Sequence, residues 1–494
     1  MRFWRRGLCI AALSVPFLTL AAQSSDLTWM VTDRLQQVTP AIEEGLVAAA
    51  QHPARGVVSV AGDLVSLFEV GADGALLASG TFVADGPLKA VAVGDMDEDG
   101  RWELVSARGE EGALAVDRWV QGQRLPVGST RYTWMPVKAI QLLSTRSGRM
   151  VVAAGQSGGL ATCLVAGGGL EPAEVSEPRQ RFELYGAADL DGDGQEELVA
   201  GVGQSAVVVL RWAPETGWGR WWQNYPWGGL VGAAAGDLDG DGRAELAVAS
   251  RENLLYVFGK NEGGTGLSLR YQGSFPLPAG AFGLAHLAPA RAKEGGPPGG
   301  LAIYGPDEVR LVFFTDKLEP LPGAVVPVGG IRRIVPLAQG SGGPVDFWPR
   351  LLVQRADQTL ELVTAVPSRR LRFIWRFRNG VEAPVTTVLL QGGRWYVSLR
   401  EAAAQFEVAV RWDGERRAAV FNQEGGGPLV EMIAGQAPRI GGQIVSEAGQ
   451  VIADGGRMFL EMRGVERLFP SEEGKAPRLM VVVGQRYLPA EFLW

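Results

Sequence analysis

Residues 189–198 read DLDGDGQEEL, five carboxylates and two glycines in ten positions. Nearly the same string stands at Asp95–Leu104 as DMDEDGRWEL and at Asp237–Leu246 as DLDGDGRAEL. Acids occupy positions 1, 3, 5 and 9 of every copy: Asp95, Asp97, Asp99 and Glu103; Asp189, Asp191, Asp193 and Glu197; Asp237, Asp239, Asp241 and Glu245. Glycine follows at position 6 and allows a sharp turn that folds positions 1, 3 and 5 round one point. Carboxylates gathered so closely repel one another unless a cation stands among them. Hard oxygens at alternating positions suit Ca2+, which accepts roughly six to eight of them in flexible geometry. The position-7 carbonyl, from Arg101, Gln195 or Arg243, is expected to add a ligand, and about three ions are expected in all.

An EF-hand opens in the same way but closes on a bidentate Glu at about position 12, between two helices. Here that place is taken by Ser106, Ala200 or Val248, inside the apolar strings ELVSA, ELVAG and ELAVA. These strings read as buried strands. Ordinary solvated Asp-Gly hairpins are the plainer reading. The same four acids in phase three times argue against it.

The spacing extends the pattern. Asp95 and Asp189 lie 94 residues apart, and Asp189 and Asp237 lie 48 apart, so the first gap holds two periods. Midway, Ala139–Gly155 keeps the turn glycine, Gly148, and the strand MVVAA, but has lost the acids. Stepping outward by the same period finds strand-turn-strand strings at Arg55–Val70, Gly299–Phe313 and Pro349–Val363. Seven copies therefore fit between about 41 and 366, three with complete acidic loops. The strands are short, the loops are Gly-rich, and helix-forming runs are scarce. The expected fold is all-β: a seven-bladed β-propeller of four-stranded blades, with a small C-terminal α+β domain. Whether the ring closes through strands near Arg55 and Leu371 is left open.

The acidic loops resemble those of FG-GAP or VCBS repeats in integrin-alpha-type β-propellers, whose pattern is Asp-x-Asp-x-Asp-Gly-x-x-Asp at a strand-to-strand turn. The resemblance covers residues 41–366 and implies structural calcium ions that pin a turn and perform no chemistry. The departure is Glu instead of Asp at position 9, which puts the reach of the last ligand in question.

After the segment 367–380, read as a linker or closing strand, the character of the sequence changes. A strand with a Gly-Gly turn, a short helix through Leu399–Phe406 and a hairpin turning at Asp413-Gly414 follow, with a weaker echo from Val451. Gly392–Phe421 resembles the copper amine oxidase N-terminal-like domain of bacterial surface proteins, which implies a surface or stalk-like accessory module over 381–494. That module lacks the histidines to bind copper.

Residues 1–22 carry Arg2, Arg5 and Arg6, an apolar run from Gly7 to Leu20, and Ala21-Ala22, the layout of a secretory signal peptide. The alternative is a retained anchor, but the run is shorter than the ~20 residues of a spanning helix. Cleavage leaves no transmembrane segment and only Cys163, which reads as a small buried hydrophobe and permits no internal disulfide. A net charge of −7 excludes a nucleic-acid footprint and suits a protein that collects cations. Only His52 and His286 are available, which disfavours zinc and copper chemistry, and no phosphate loop occurs. The aromatic stretch Gly217–Gly229 is expected to pack between blades, or alternatively to stack on a sugar. The alternation of Leu371, Phe373, Trp375 and Phe377 with Arg372, Ile374 and Arg376 is that of a strand with one apolar face.

The reading is an exported, calcium-binding, non-catalytic protein, secreted or on the cell surface. Its partner is an extracellular protein or glycan, with cell-wall polymer possible through the C-terminal domain. The competing readings are a propeller enzyme acting on extracellular polysaccharide and a purely structural envelope protein.

Overall fold

The computed structural model describes residues 27–490 apart from 36–45, 49–55, 62, 71–75, 87, 98–102, 110–111, 121–122, 132–135, 147, 167–168, 176–179, 289–298, 327, 338–349, 358, 368–370, 378–380, 392–393, 423–427, 470–476 and 484–485. The expected signal peptide, His52, Asp99 and Arg101 lie outside the described residues.

Short strands dominate, paired antiparallel with their sequence neighbours. Among the described residues up to Pro367, seven four-stranded sheets succeed one another. The first holds Leu46–Ala48, Gly56–Ala61, Leu64–Val70 and Leu76–Val83, and the second Leu88–Gly94, Glu103–Arg108, Ala113–Val120 and Gln123–Arg131. The third runs from Val137–Thr145 to Gly169–Val175, the fourth from Phe182–Ala188 to Gly217–Asn224, and the fifth from Leu230–Gly236 to Leu267–Ser274. The sixth runs from Gly283–Leu287 to Pro320–Val326. The seventh combines Ile331–Leu337, Arg350–Arg355 and Leu360–Pro367 with Leu27–Leu35 from the start of the chain.

The first strand of each sheet touches the first strand of the next, and Ile331–Leu337 returns to touch Leu46–Ala48. Sheets arranged radially about their first strands form a β-propeller. Closure follows a route the repeat boundary at 41 does not anticipate: Leu27–Leu35 lies antiparallel to Leu360–Pro367, with Leu27 opposite Pro367 and Leu35 opposite Leu360. Leu371–Arg376, considered as a closing strand, instead pairs with Arg478–Val483 and Glu382–Pro384.

The second strands of the second to seventh sheets are buried on both faces, so they read as continuous apolar runs rather than alternating ones. Glu197–Val202 and Glu245–Ser250 have nearly every residue buried. Neighbouring sheets share cores: Leu190, Val199 and Val209 of the fourth pack with Leu230, Leu246 and Phe258 of the fifth. Small residues, as in LVGAAAG at Leu230–Gly236, line the axis where the sheets converge. At Gly236 a Cβ atom would lie 2.3 Å from the His286 ring, so that approach requires glycine.

The C-terminal strands form two four-stranded sheets and one five-stranded sheet with the helix Leu399–Gln405 and a second helical turn at Val465–Leu468. Leu371, Phe373 and Trp375 are buried and Arg372 and Arg376 exposed, the alternation read from the sequence. Trp375 is fully buried in a core with Val397, Ala402, Leu460 and Leu479. Glu401 in the first helical turn accepts the Thr386 and Thr387 N–H groups, each at 2.8 Å, fastening the helix to the preceding segment. The hairpin Val388–Gln391/Arg394–Ser398 and its echo Val451–Asp454/Arg457–Glu461 join in one sheet, Val397 opposite Leu460.

Candidate metal sites in three acidic loops

Each acidic loop connects the first strand of a sheet to its second, in the second, fourth and fifth sheets. Strand register sets the geometry. Glu103, Glu197 and Glu245 begin the second strands directly opposite Gly94, Ala188 and Gly236, the last residues of the first strands. The glutamates are therefore 1%, 0% and 5% exposed. One oxygen of each, Oε2, accepts the N–H at loop position 2: Met96 at 2.8 Å, Leu190 at 2.9 Å and Leu238 at 3.0 Å. Those position-2 side chains are buried in the propeller core. The longer glutamate thus reaches back across the loop.

Position 1 organises the turn. Asp189 Oδ1 accepts the Gly192 N–H at 2.7 Å and the Asp193 N–H at 3.0 Å, and Oδ2 accepts the Gly194 N–H at 2.9 Å. Asp237 repeats this with Gly240 at 2.7 Å and Gly242 at 3.0 Å. Gly194 and Gly242 take φ of 86° and 87°, the left-handed conformation that glycine adopts without strain. Behind the third loop, the His286 Nε2 lies 3.1 Å from the Asp237 carbonyl.

Positions 1, 3 and 9 converge. In Asp95, Asp97 and Glu103, in Asp189, Asp191 and Glu197, and in Asp237, Asp239 and Glu245, one carboxylate oxygen of each lies within 4.8 Å of the others. Three such triads of hard donors can hold metal ions and are compatible with Ca2+. Asp193 and Asp241 stand outside the triads, each accepting the N–H of position 7, Gln195 or Arg243, at 2.8 Å. The Gln195 side chain lies against Asp193, and Arg243 pairs with Glu262.

Burial raises the glutamates. Withdrawal from water lifts Glu103 above its ordinary range, lifts Glu197 to about 7 and lifts Glu245 to about 8. The same cause lifts Asp239.

Sequence reasoning missed two arginines. Arg118 donates from Nε to Glu103 Oε1 at 2.7 Å and from Nη2 to Asp97. Arg211 does the same with Glu197, at 3.1 Å, and Asp191, and lies 4.7 Å over the Trp221 ring. Both come from the third strand of their sheets, 15 and 14 residues beyond the glutamate. Only strand register brings them back. In the fifth sheet the corresponding place, one step beyond the Leu246–Phe258 pair, is Gly259. A cleft of about 410 Å³ opens there, lined by Asp239, Asp241, Glu245, Gly259 and Lys260.

The aromatic stretch divides. Trp218 donates to Thr162 Oγ1 at 2.7 Å and Trp222 to the Leu267 carbonyl at 3.0 Å, each bridging to a neighbouring sheet. Trp227 and Tyr225 are 75% and 67% exposed. Cys163 is buried among Val151, Ala161 and Leu170. Among the described residues no helix is long and apolar enough to cross a membrane.

The FG-GAP-like repeat family matches residues 189–284, a span holding the second and third acidic loops. No curated protein matches the chain. Among solved structures, a Lactobacillus plantarum protein is 12% identical with a TM-score of 0.44, over 73% of this chain and 95% of its own. Saccharomyces cerevisiae Sqt1 is 14% identical with a TM-score of 0.45, over 69% of this chain and 100% of its own. The β-propeller domain of Cps50 (Swd1) from Myceliophteria thermophila is 12% identical with a TM-score of 0.44, over 68% and 99%.

Proposed function

We propose that the chain is an exported, seven-bladed β-propeller stabilised by Ca2+ in its acidic loops, acting as a non-catalytic binding protein at the cell surface or after secretion. One observation carries this reading: three carboxylate triads of the same composition stand at the same strand-to-strand connection of three different sheets. Repetition at a structural station favours pinning a turn over a reaction centre, which a protein builds once.

An ion bound only by the folded state stabilises by RT ln(1 + [L]/Kd), or about 2.7 kcal/mol at a hundredfold excess over Kd. That mechanism suits a medium rich in calcium, and the apolar leader at Gly7–Leu20 supports export to one. The partner is an extracellular glycan or protein. Exposed Trp227 and Tyr225 favour a glycan, because an indole or phenol face stacks on the apolar face of a sugar ring. Residues 381–494 serve as an accessory module of the copper amine oxidase N-terminal-like kind, in reach of cell-wall polymer.

The test is thermal unfolding in millimolar Ca2+ and in excess chelator, with bound metal counted after dialysis. Bound calcium with a large fall in Tm on chelation supports the reading. An unchanged melt with no bound calcium sinks it and leaves the carboxylates free for the polysaccharide-enzyme alternative.

A further inference from the structure

We infer that the three acidic loops are not equivalent: Arg118 and Arg211 are built-in counter-cations of the first two, and the third, where Gly259 stands in the arginine's place, is the loop that takes an external divalent cation tightly. This rests on the calcium reading above and assigns the ion to one loop.

The contested atoms are the same. Arg118 holds Asp97 and Glu103, and Arg211 holds Asp191 and Glu197, two of the three triad members in each case. A divalent ion needs those oxygens at roughly 2.3–2.6 Å. A guanidinium donating to them cannot stay in place, and like charges so close repel strongly at a half-buried site. Arg211 is held further by the Trp221 face, which favours a flat, weakly hydrated cation.

Among the described residues the third triad has no guanidinium partner. Glu245 is 95% buried, and its one hydrogen bond among the described residues comes from the Leu238 N–H. Of the cations lining the cleft, Arg243 pairs with Glu262 and Arg270 donates to the Lys260 carbonyl, while the Lys260 and Lys317 side chains form no ion pair with the triad among the described residues. The cleft gives an ion and its remaining waters a route to Asp239 and Glu245. A carboxylate buried without a counter-charge is costly, and an ion binding there supplies that counter-charge.

The experiment is calorimetric titration of the metal-free full chain with Ca2+, for the wild type, Arg118→Gly, Arg211→Gly and Gly259→Arg, with circular dichroism to verify folding. One tight site is expected in the wild type, with the other two weaker by about tenfold or more, which is ~1.4 kcal/mol. Arg211→Gly and Arg118→Gly are each expected to add a second tight site, and Gly259→Arg to remove the first. Three equal sites in the wild type, or arginine variants that leave the tight count at one, overturn the inference while the calcium reading stands. No binding in any variant overturns both. Should Gly259→Arg fail to fold because a side chain there meets Arg270, the wild-type stoichiometry and the arginine removals decide alone.

Discussion

The Glu197 carboxylate accepts the Leu190 N–H at 2.9 Å, so a residue placed as an ion ligand also latches its loop closed. Both groups are buried, and removing the acceptor leaves a backbone donor without a partner. Glu197→Ala is expected to cost about 2–3 kcal/mol in chelator, where no ion contributes. Glu197→Gln keeps an acceptor and is expected to cost roughly half as much. Urea unfolding of the two variants measures the difference; equal losses would mean the latch is energetically idle.

Glu245 sets a pH dependence that calcium reverses. Its folded-state value near 8 lies above the ordinary 4.5, because burial disfavours the charged form. A group raised in this way contributes stability that is full below about 4.5 and is lost as pH rises through about 8. In chelator, the Tm of the wild type relative to Glu245→Gln is expected to fall across that window. In excess calcium the ion favours the carboxylate, and the difference is expected to shrink or change sign. A pH-independent difference in chelator would contradict the burial account.

Trp222 and Trp227 lie five residues apart and are expected to answer mutation in opposite ways. Trp222 rests on Phe258 with ring centroids 4.6 Å apart and donates to the next sheet, so Trp222→Ala is expected to cost about 3 kcal/mol. Trp227 is exposed, so Trp227→Ala is expected to leave stability within about 0.5 kcal/mol. On a glycan array the second variant, folded as the wild type, is expected to lose signal; retained binding would remove Trp227 from the recognition surface.

Deleting residues up to Leu35 strips the seventh sheet of its last strand. Leu360–Pro367 then presents an open edge, and the cycle of sheets loses the pairing that ties its two ends. The truncated chain is expected to melt at a markedly lower temperature and to self-associate, read by size-exclusion chromatography beside a melt. A truncated monomer with an unchanged Tm would show that the strand is dispensable.

Much of the acidic-loop chemistry is local and was therefore legible. Aspartates at positions 1 and 3 and glycine at 6 lie within one turn, and the glutamate at 9 follows as the first residue of the next strand, so their order is visible along the chain. The repeat period was legible for a related reason, since each sheet is one unit of sequence and its second strand is a continuous apolar run. Even the faint echo from Val451 is structural, since its second strand, Arg457–Glu461, pairs with Arg394–Ser398 of the first copy.

What lies far apart along the chain was decided by tertiary structure. Nothing in LTWMVTDRL at Leu27–Leu35 states that its partner is more than 300 residues away at Leu360–Pro367, because an edge pairing rests on backbone groups common to every residue. Leu371–Arg376 declared one apolar face but not which core would receive it, and that core is made with Arg478–Val483. Arg118, Arg211 and Gly259 look like three unrelated residues until strand register sets each against a buried glutamate. The sequence by itself determined where negative charge gathers; the pairing of strands decided which of those charges are already answered from within the protein.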